Sequence, residues 1–130
     1  MRKSGFQFLQ PCLENIEFKL NLEFEPEESG FEMENSFTVE VDKNSENNMA
    51  RVALTLNLNK NNNKAPFELT IKMASEFKWE KPDEEVAEEL LKCNAPALLL
   101  SYMRPIVANI INSSGLPVYN LPFVDFTKDE

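Results

Sequence analysis

The chain has 130 residues, with 13 basic and 22 acidic side chains for a net charge of −9, no histidine and only three glycines. A chain of this length makes one domain and buries roughly 65–70% of its unfolded surface, so a core forms without disulfides. The missing histidine excludes Ser-His-Asp and Cys-His catalysis and His-ligated zinc or iron within the chain, and Gly5, Gly30 and Gly115 stand too far apart for a phosphate-cradling loop. The acidic balance argues against nucleic acid and anionic membranes as partners, because both select basic surfaces that displace counterions. What survives is an acidic module that binds something rather than turning it over.

The N-terminal stretch 1–12 carries the charges of a signal peptide but lacks its apolar run, so no secretion signal is read and the expected compartment is the cytoplasm. Cys12 and Cys93 lie in no CxxC pair and are expected to be buried and reduced. No apolar stretch is long enough to span a membrane.

Period-two alternation then dominates. Ile16, Phe18, Leu20, Leu22 and Phe24 interleave with polar residues, as do Phe37, Val39 and Val41, then Val52, Leu54, Leu56 and Leu58. Phe67, Leu69, Ile71 and Met73 follow, and the pattern resumes at Phe77 and Trp79. Strands with one apolar and one polar face belong to an antiparallel sheet packed on one side. Four strands are predicted, at about 12–25, 36–43, 51–60 and 66–79. The Asn-rich links at 43–50 and 60–66 are too short for crossover helices, so the last three strands form a meander. The first connection, 25–35, is longer and carries Phe31 and Met33.

The last third changes period. Asp83 is placed to cap a short helix at about 83–93, with Glu84 and Glu85 at the positive end of its dipole. A break is expected at Asn94 or Ala95, and Pro96 then opens a second helix to 114, stopped by Gly115. Pro105 lies inside it. An extended tail follows over 116–130, with Pro117 and Pro122. The second helix is apolar nearly all round, so one sheet face cannot cover it. A second copy of the chain is expected on it, with Leu99, Tyr102, Met103, Ile106 and Ile110 at the interface of a homo-oligomer. The fold class is α+β: a single domain, 1–130, in which a four-stranded antiparallel sheet is packed on one face by the long helix.

No motif for chemistry survives inspection. Asp42, Asn44 and Glu46 have calcium-loop spacing, but the glycine and the closing glutamate that such a loop needs are replaced by Asn47 and Ala53. The carboxylate runs at 23–34 and 83–89 read as solvated faces. Phe31, Met33, Trp79, Tyr119 and Phe123 read equally as core or as an aromatic binding surface. No enzyme, cofactor or metal is expected.

A resemblance narrows this further. The stretch Ala95-Pro96-Ala97-Leu98-Leu99-Leu100-Ser101-Tyr102-Met103-Arg104 resembles the SecB protein-export chaperones, where a proline opens the long helix and Tyr-x-Arg follows an apolar run. The run Gly115 to Leu121, with Val124-Asp125-Phe126, is similar to the family's segment after that helix, and Asn15-Ile16-Glu17-Phe18 to its first strand. The resemblance spans about residues 8–126. It implies a holdase: an oligomer, dimer or tetramer, that keeps unfolded or extended polypeptide clients in an apolar groove without nucleotide or metal. By position the groove residues are Phe31, Met33, Leu116, Val118, Tyr119 and Leu121.

Two departures shape the expectation. The family continues into a C-terminal helix, and this sequence ends at Glu130 before it. The family docks the SecA motor through acidic residues, where this chain has Asn15, Lys19 and Thr70. The likeness is therefore to a SecB-like branch, such as those of Gram-positive bacteria, that holds clients without SecA coupling. The alternative is a dedicated partner-binding protein, in the manner of SecB-like chaperones that protect one antitoxin.

Overall fold

The computed structural model describes residues 4–28, 30–117 and 119–127. Its strands are β1 (Gln7–Phe8), β2 (Cys12–Leu20), β3 (Asn35–Asn44), β4 (Met49–Leu58) and β5 (Phe67–Lys78). Two helices follow, α1 (Glu84–Glu89) and α2 (Ala95–Ser113). All ladders are antiparallel. β3, β4 and β5 form the expected meander, and β1 and β2 both pair with the free side of β5. The link 21–34 therefore carries the chain across one end of the sheet, from the β2 edge to the β3 edge.

Among the described residues there are five strands where four were expected, because a two-residue strand, β1, precedes the expected first one and is set apart from it at Pro11. Pro11 has no N–H to offer a ladder. Around the gap, the Leu9 N–H donates to the Glu76 carbonyl at 2.8 Å, and the Ser75 hydroxyl donates to the Leu9 carbonyl. Ser75 thus explains why the apolar alternation in β5 lapses between Met73 and Phe77. It occupies an inward position, 5% exposed, as a polar residue with a partner. A register shift between Leu13 and Asn15 marks a bulge in β2. The extra residue keeps Leu13, opposite Met73, and Ile16, opposite Ile71, on the same apolar face.

β2 also stops sooner than its pattern. Alternation runs on to Phe24, but the strand ends at Leu20, where its partner β5 begins at Phe67. Asn21 turns the chain there. Its N–H donates to the Pro66 carbonyl at 2.9 Å and its side chain to the Ala65 carbonyl at 2.9 Å. Leu22 is left 88% exposed. Periodicity reports a face, and only a partner makes a strand.

Asn48, Asn59 and Asn61 take left-handed backbone angles, with φ of 51°, 56° and 61°. Asparagine tolerates this region better than other side chains, which is why the two links are rich in it.

The helical region is continuous. A single 3-10 turn, Lys81–Asp83, leads into α1, and a π turn, Leu90–Asn94, joins α1 to α2. The expected break at Asn94 is absent, since Asn94 keeps right-handed helical angles. Pro96 cannot donate to a carbonyl one turn back, and the wider π turn just before it takes up that mismatch. Asp83 makes no side-chain capping bond. Ala87, Leu91, Ala95, Leu99, Met103, Val107 and Ile111 are all buried. They stand four apart, so the ridge they form runs obliquely to the axis and lies along the twisted sheet.

The core lies between this ridge and the apolar face of β4 and β5, where Leu54, Leu56, Leu58, Leu69 and Ile71 are no more than 1% exposed. α2 sits over these central strands. Its own face is thus sealed, while Val39 and Val41 of β3 and Leu13 and Ile16 of β2 stay exposed on either side. At the far end of β5, the Phe6 ring stacks 5.6 Å from Phe77 and 6.4 Å from Trp79.

Candidate functional site

At the end of the sheet where β2 stops and β5 starts, three segments enclose an apolar cavity of about 310 Å³. Pro66 and Phe67 line it from the start of β5. Phe24, Pro26, Phe31 and Met33 contribute from the link between β2 and β3. Leu116, Pro117 and Tyr119 contribute from the chain after α2. Each wall has a local cause. Phe24 and Phe31 meet edge to face at 6.0 Å, folding the link on itself. Gly30 sits in this wall with φ of 80°, a conformation that glycine adopts freely. Gly115, with φ of 81°, ends α2 and turns the chain toward the cavity.

Asn59 fastens the link to the sheet. Its backbone N–H donates to the Glu34 carbonyl at 2.8 Å, and its side-chain oxygen accepts the Glu34 N–H at 3.0 Å. Its amide nitrogen donates to the Phe67 carbonyl at 3.1 Å and approaches the Met33 sulfur at 3.6 Å. At 1% exposure this is a buried polar side chain with every group used. On the opposite wall, the Asn35 amide donates to the Tyr119 hydroxyl at 3.2 Å.

Of the six residues expected in a groove, Phe31, Met33, Leu116 and Tyr119 come together here. Val118 lies outside the described residues. Leu121 is elsewhere: it is 6% exposed and packed in the core, so it forms no part of this wall. Sequence reading missed Phe24, Pro66, Phe67 and Asn59. Phe24 and Phe67 looked like strand residues, and Asn59 like one more loop asparagine.

A second, larger groove of about 830 Å³ runs along β3 between Phe37, Val39 and Val41 and the tail residues Pro122 to Phe126. The tail returns beside α2. Arg104 donates to the Leu121 carbonyl and, at 2.9 Å, to the Pro122 carbonyl.

The five residues expected at an interface divide. Leu99 and Met103 are fully buried within the subunit, in the ridge that faces the sheet. Tyr102 is 40% exposed, and Ile106 and Ile110 are half-buried. Tyr102 meets Phe8 edge to face at 6.3 Å, continuing an apolar strip with the exposed Leu13 and Ile16. Cys12, expected to be buried, is exposed on β2, and both cysteines are free. Trp79 belongs to the core and Phe123 to solvent, so the five-residue aromatic surface does not assemble as one.

The polar face of the sheet carries both signs. Glu14 on β2 and Arg51 on β4 pair across β5. The Arg51 hydrogen bond holds the Glu14 carboxyl below its ordinary range, and Glu14 raises Arg51 in turn.

The family model described as preprotein translocase subunit SecB matches residues 20–128. The chain belongs to the SecB family. Members of this family are chaperones rather than enzymes. The protein-export protein SecB of Anaplasma phagocytophilum (strain HZ) is 35% identical over 81 residues, covering 58% of this chain and 51% of its own length. The chain thus spans about half the length of the curated relative it matches. Among solved structures, a SecB-like chaperone of Mycobacterium tuberculosis, in complex with a ChAD peptide from the HigA1 antitoxin, superposes with a TM-score of 0.72. It is 16% identical and covers 92% of this chain and 91% of its own. That likeness shows the SecB-like fold. A protein of unknown function from Streptococcus agalactiae gives a TM-score of 0.49 at 13% identity, covering 94% and 100% of the two chains. Among the described residues no helix is long and apolar enough to cross a membrane.

Proposed function

We propose that this SecB-family chain is a holding chaperone that keeps non-native polypeptide extended against an apolar groove. The observation that carries the reading is the cavity formed by Phe31, Met33, Leu116 and Tyr119 at the sheet end. Its walls come from two long links, and its lining is aromatic and aliphatic, with Glu27 the one charged residue. Such a surface takes apolar anchors of many shapes and leaves the client's backbone to find its own partners. Methionine beside aromatic rings suits varied clients, because a thioether adapts its packing.

The protein works in the cytoplasm as a homo-oligomer. Tyr102, Ile106 and Ile110 form its contact, joined by Phe8, Leu13 and Ile16. These residues leave apolar surface facing outward from one subunit. Client holding runs without SecA. What supports this is the local substitution of Asn15, Lys19 and Thr70 at positions where the family's docking residues are acidic, on a sheet face that carries both signs, Lys19, Arg51, Lys72 and Lys78 beside Glu14, Glu17, Glu40, Asp42, Glu68 and Glu76.

The test is suppression of aggregation. The purified protein, added to a chemically unfolded client diluted from denaturant, should delay light scattering in proportion to its concentration. If scattering is unaffected and no unfolded chain co-elutes, the reading fails. Capture of one stoichiometric partner from native cytoplasm, with indifference to generic unfolded chains, would favour the dedicated partner-binding reading.

A further inference from the structure

The groove along β3 already holds an extended, apolar segment, and that segment belongs to the chain itself. The tail after α2 carries Leu121, Val124 and Phe126 toward the core. The Phe126 ring meets Phe37 edge to face at 6.1 Å. The tail does not join the sheet. Among the described residues β3 pairs with β4 alone, so its other edge keeps backbone groups that an incoming strand can satisfy. Pro122 lacks the N–H that a ladder needs.

Leu121 anchors the start of the tail in the core, Val124 and Phe126 pack only partly buried beyond it, and the tail's hydrogen bonds are concentrated on one side chain. Arg104, half-buried midway along α2, gives two guanidinium nitrogens to two successive carbonyls, those of Leu121 and Pro122. A planar fork presents two nitrogens to two acceptors in a fixed geometry, where an ammonium is a single compact donor centre. Beyond this clamp the tail is held by the Cys93 thiol, 3.5 Å from the Phe126 carbonyl, and by the Phe37 contact. Phe123 is fully exposed, with the Arg104 guanidinium 5.9 Å from its ring centre. Val39 and Val41 of β3 remain 36% and 45% exposed. The tail thus covers only part of the floor.

We propose that the tail segment 122–126 is a displaceable internal occupant of the β3 groove, clamped by Arg104, which an extended apolar stretch of client polypeptide replaces. The proposal rests on the holding function above and extends it to this second groove. The seated tail shows the chemistry selected: an extended backbone with aliphatic and aromatic side chains. An incoming strand gains what the tail leaves unused, the open edge of β3 and the exposed Val39 and Val41. Clamping lowers the fraction of molecules with an empty groove, so apparent client affinity is reduced by that fraction. Arg104 is a positioning residue here, and it sets how readily the groove opens.

The experiment pairs hydrogen exchange with binding, using the whole protein and a reduced, carboxymethylated client that cannot refold. Adding client to wild type should slow exchange at the amides of Phe37 to Val41 on the open edge of β3. Arg104→Ala should bind the client about tenfold more tightly, the gain expected when charge-assisted bonds to the competing segment are removed. Arg104→Lys, which keeps the charge but replaces the two-nitrogen fork by a single nitrogen of shorter reach, should gain less, and it carries the test if the alanine variant does not fold. A merely structural arginine would weaken binding when removed. Unchanged or weaker client binding by both variants, or Phe37 to Val41 amides that client addition leaves unmoved, overturns the displaceable tail while the holding function stands. A wild type that binds no unfolded chain overturns both.

Discussion

Asn59 is an interior asparagine at a strand end with φ of 56°, and its side chain does the work of a missing strand partner for Glu34. Removing it leaves the Glu34 N–H and the Phe67 carbonyl without partners and puts a side chain with Cβ into a left-handed conformation. Asn59→Ala should therefore lose about 2–4 kcal/mol of stability in urea denaturation. Asn59→Gly should recover about 1 kcal/mol of that, because only the backbone part is relieved. On the polar face, Glu14 has a carboxyl depressed below its ordinary value of 4.5 by the Arg51 hydrogen bond. A depressed carboxylate contributes stability that is present above the unfolded value and lost as pH falls through the lower folded one. Wild type should thus exceed Glu14→Gln in stability near pH 6, and the difference should shrink in denaturation curves taken at pH values progressively below 4.5. None of this was legible in the sequence. Asparagine is common in turns for reasons unrelated to burial, and charge pairs two strands apart depend on a strand order that no local pattern encodes.

The strands β3, β4 and the first half of β5 were legible because each has a polar and an apolar face that differ at every step. The failures fall where a second influence overrides alternation. β2 ends at Leu20 for want of a partner, Pro11 splits the first edge, and the bulge at Glu14 resets the phase so that Leu13 stays inward. The helix shows the same limit. Its composition pointed to cover on several sides, but not to which residues meet the sheet. The four-residue ridge assigns Leu99 and Met103 to the subunit's own core. A charge at Leu99 therefore unfolds the subunit, where the sequence suggested it would only separate copies. Leu99→Asp should lose native circular dichroism, with a penalty of about 3–5 kcal/mol for an unpaired buried charge. Ile110→Asp lies on the outward flank. It should keep its circular dichroism and lower the mass found by light scattering, and an unchanged mass removes this flank from the contact.

At the scale of the whole molecule, one layer of sheet and one long helix leave two apolar flanks that a single helix is too narrow to cover. Four of the six groove residues inferred from family resemblance converge at one sheet end, because the link 21–34 and the chain after α2 both arrive there. Leu121 departs from the group because Arg104 draws its carbonyl toward the helix. Phe31→Asp places a charge in the cavity wall, at a half-buried position outside the core cluster. It should weaken binding of unfolded client about tenfold in calorimetric titration, as loss of a central aromatic anchor does, and leave urea stability nearly unchanged.

Trp79 is the sole tryptophan of the chain. It lies just past the end of β5 that is remote from the cavity, 5% exposed and stacked with Phe6. A strand of twelve residues separates that ring from Phe67 at the cavity, a distance of about 40 Å. Intrinsic fluorescence excited at the red edge therefore reads one event, the docking of the N-terminal segment over the sheet end. It is blind to what fills the cavity at the other end. The protein thus contains its own optical gauge of folding, and a tryptophan introduced at Phe31 would give a second, separable gauge of occupancy.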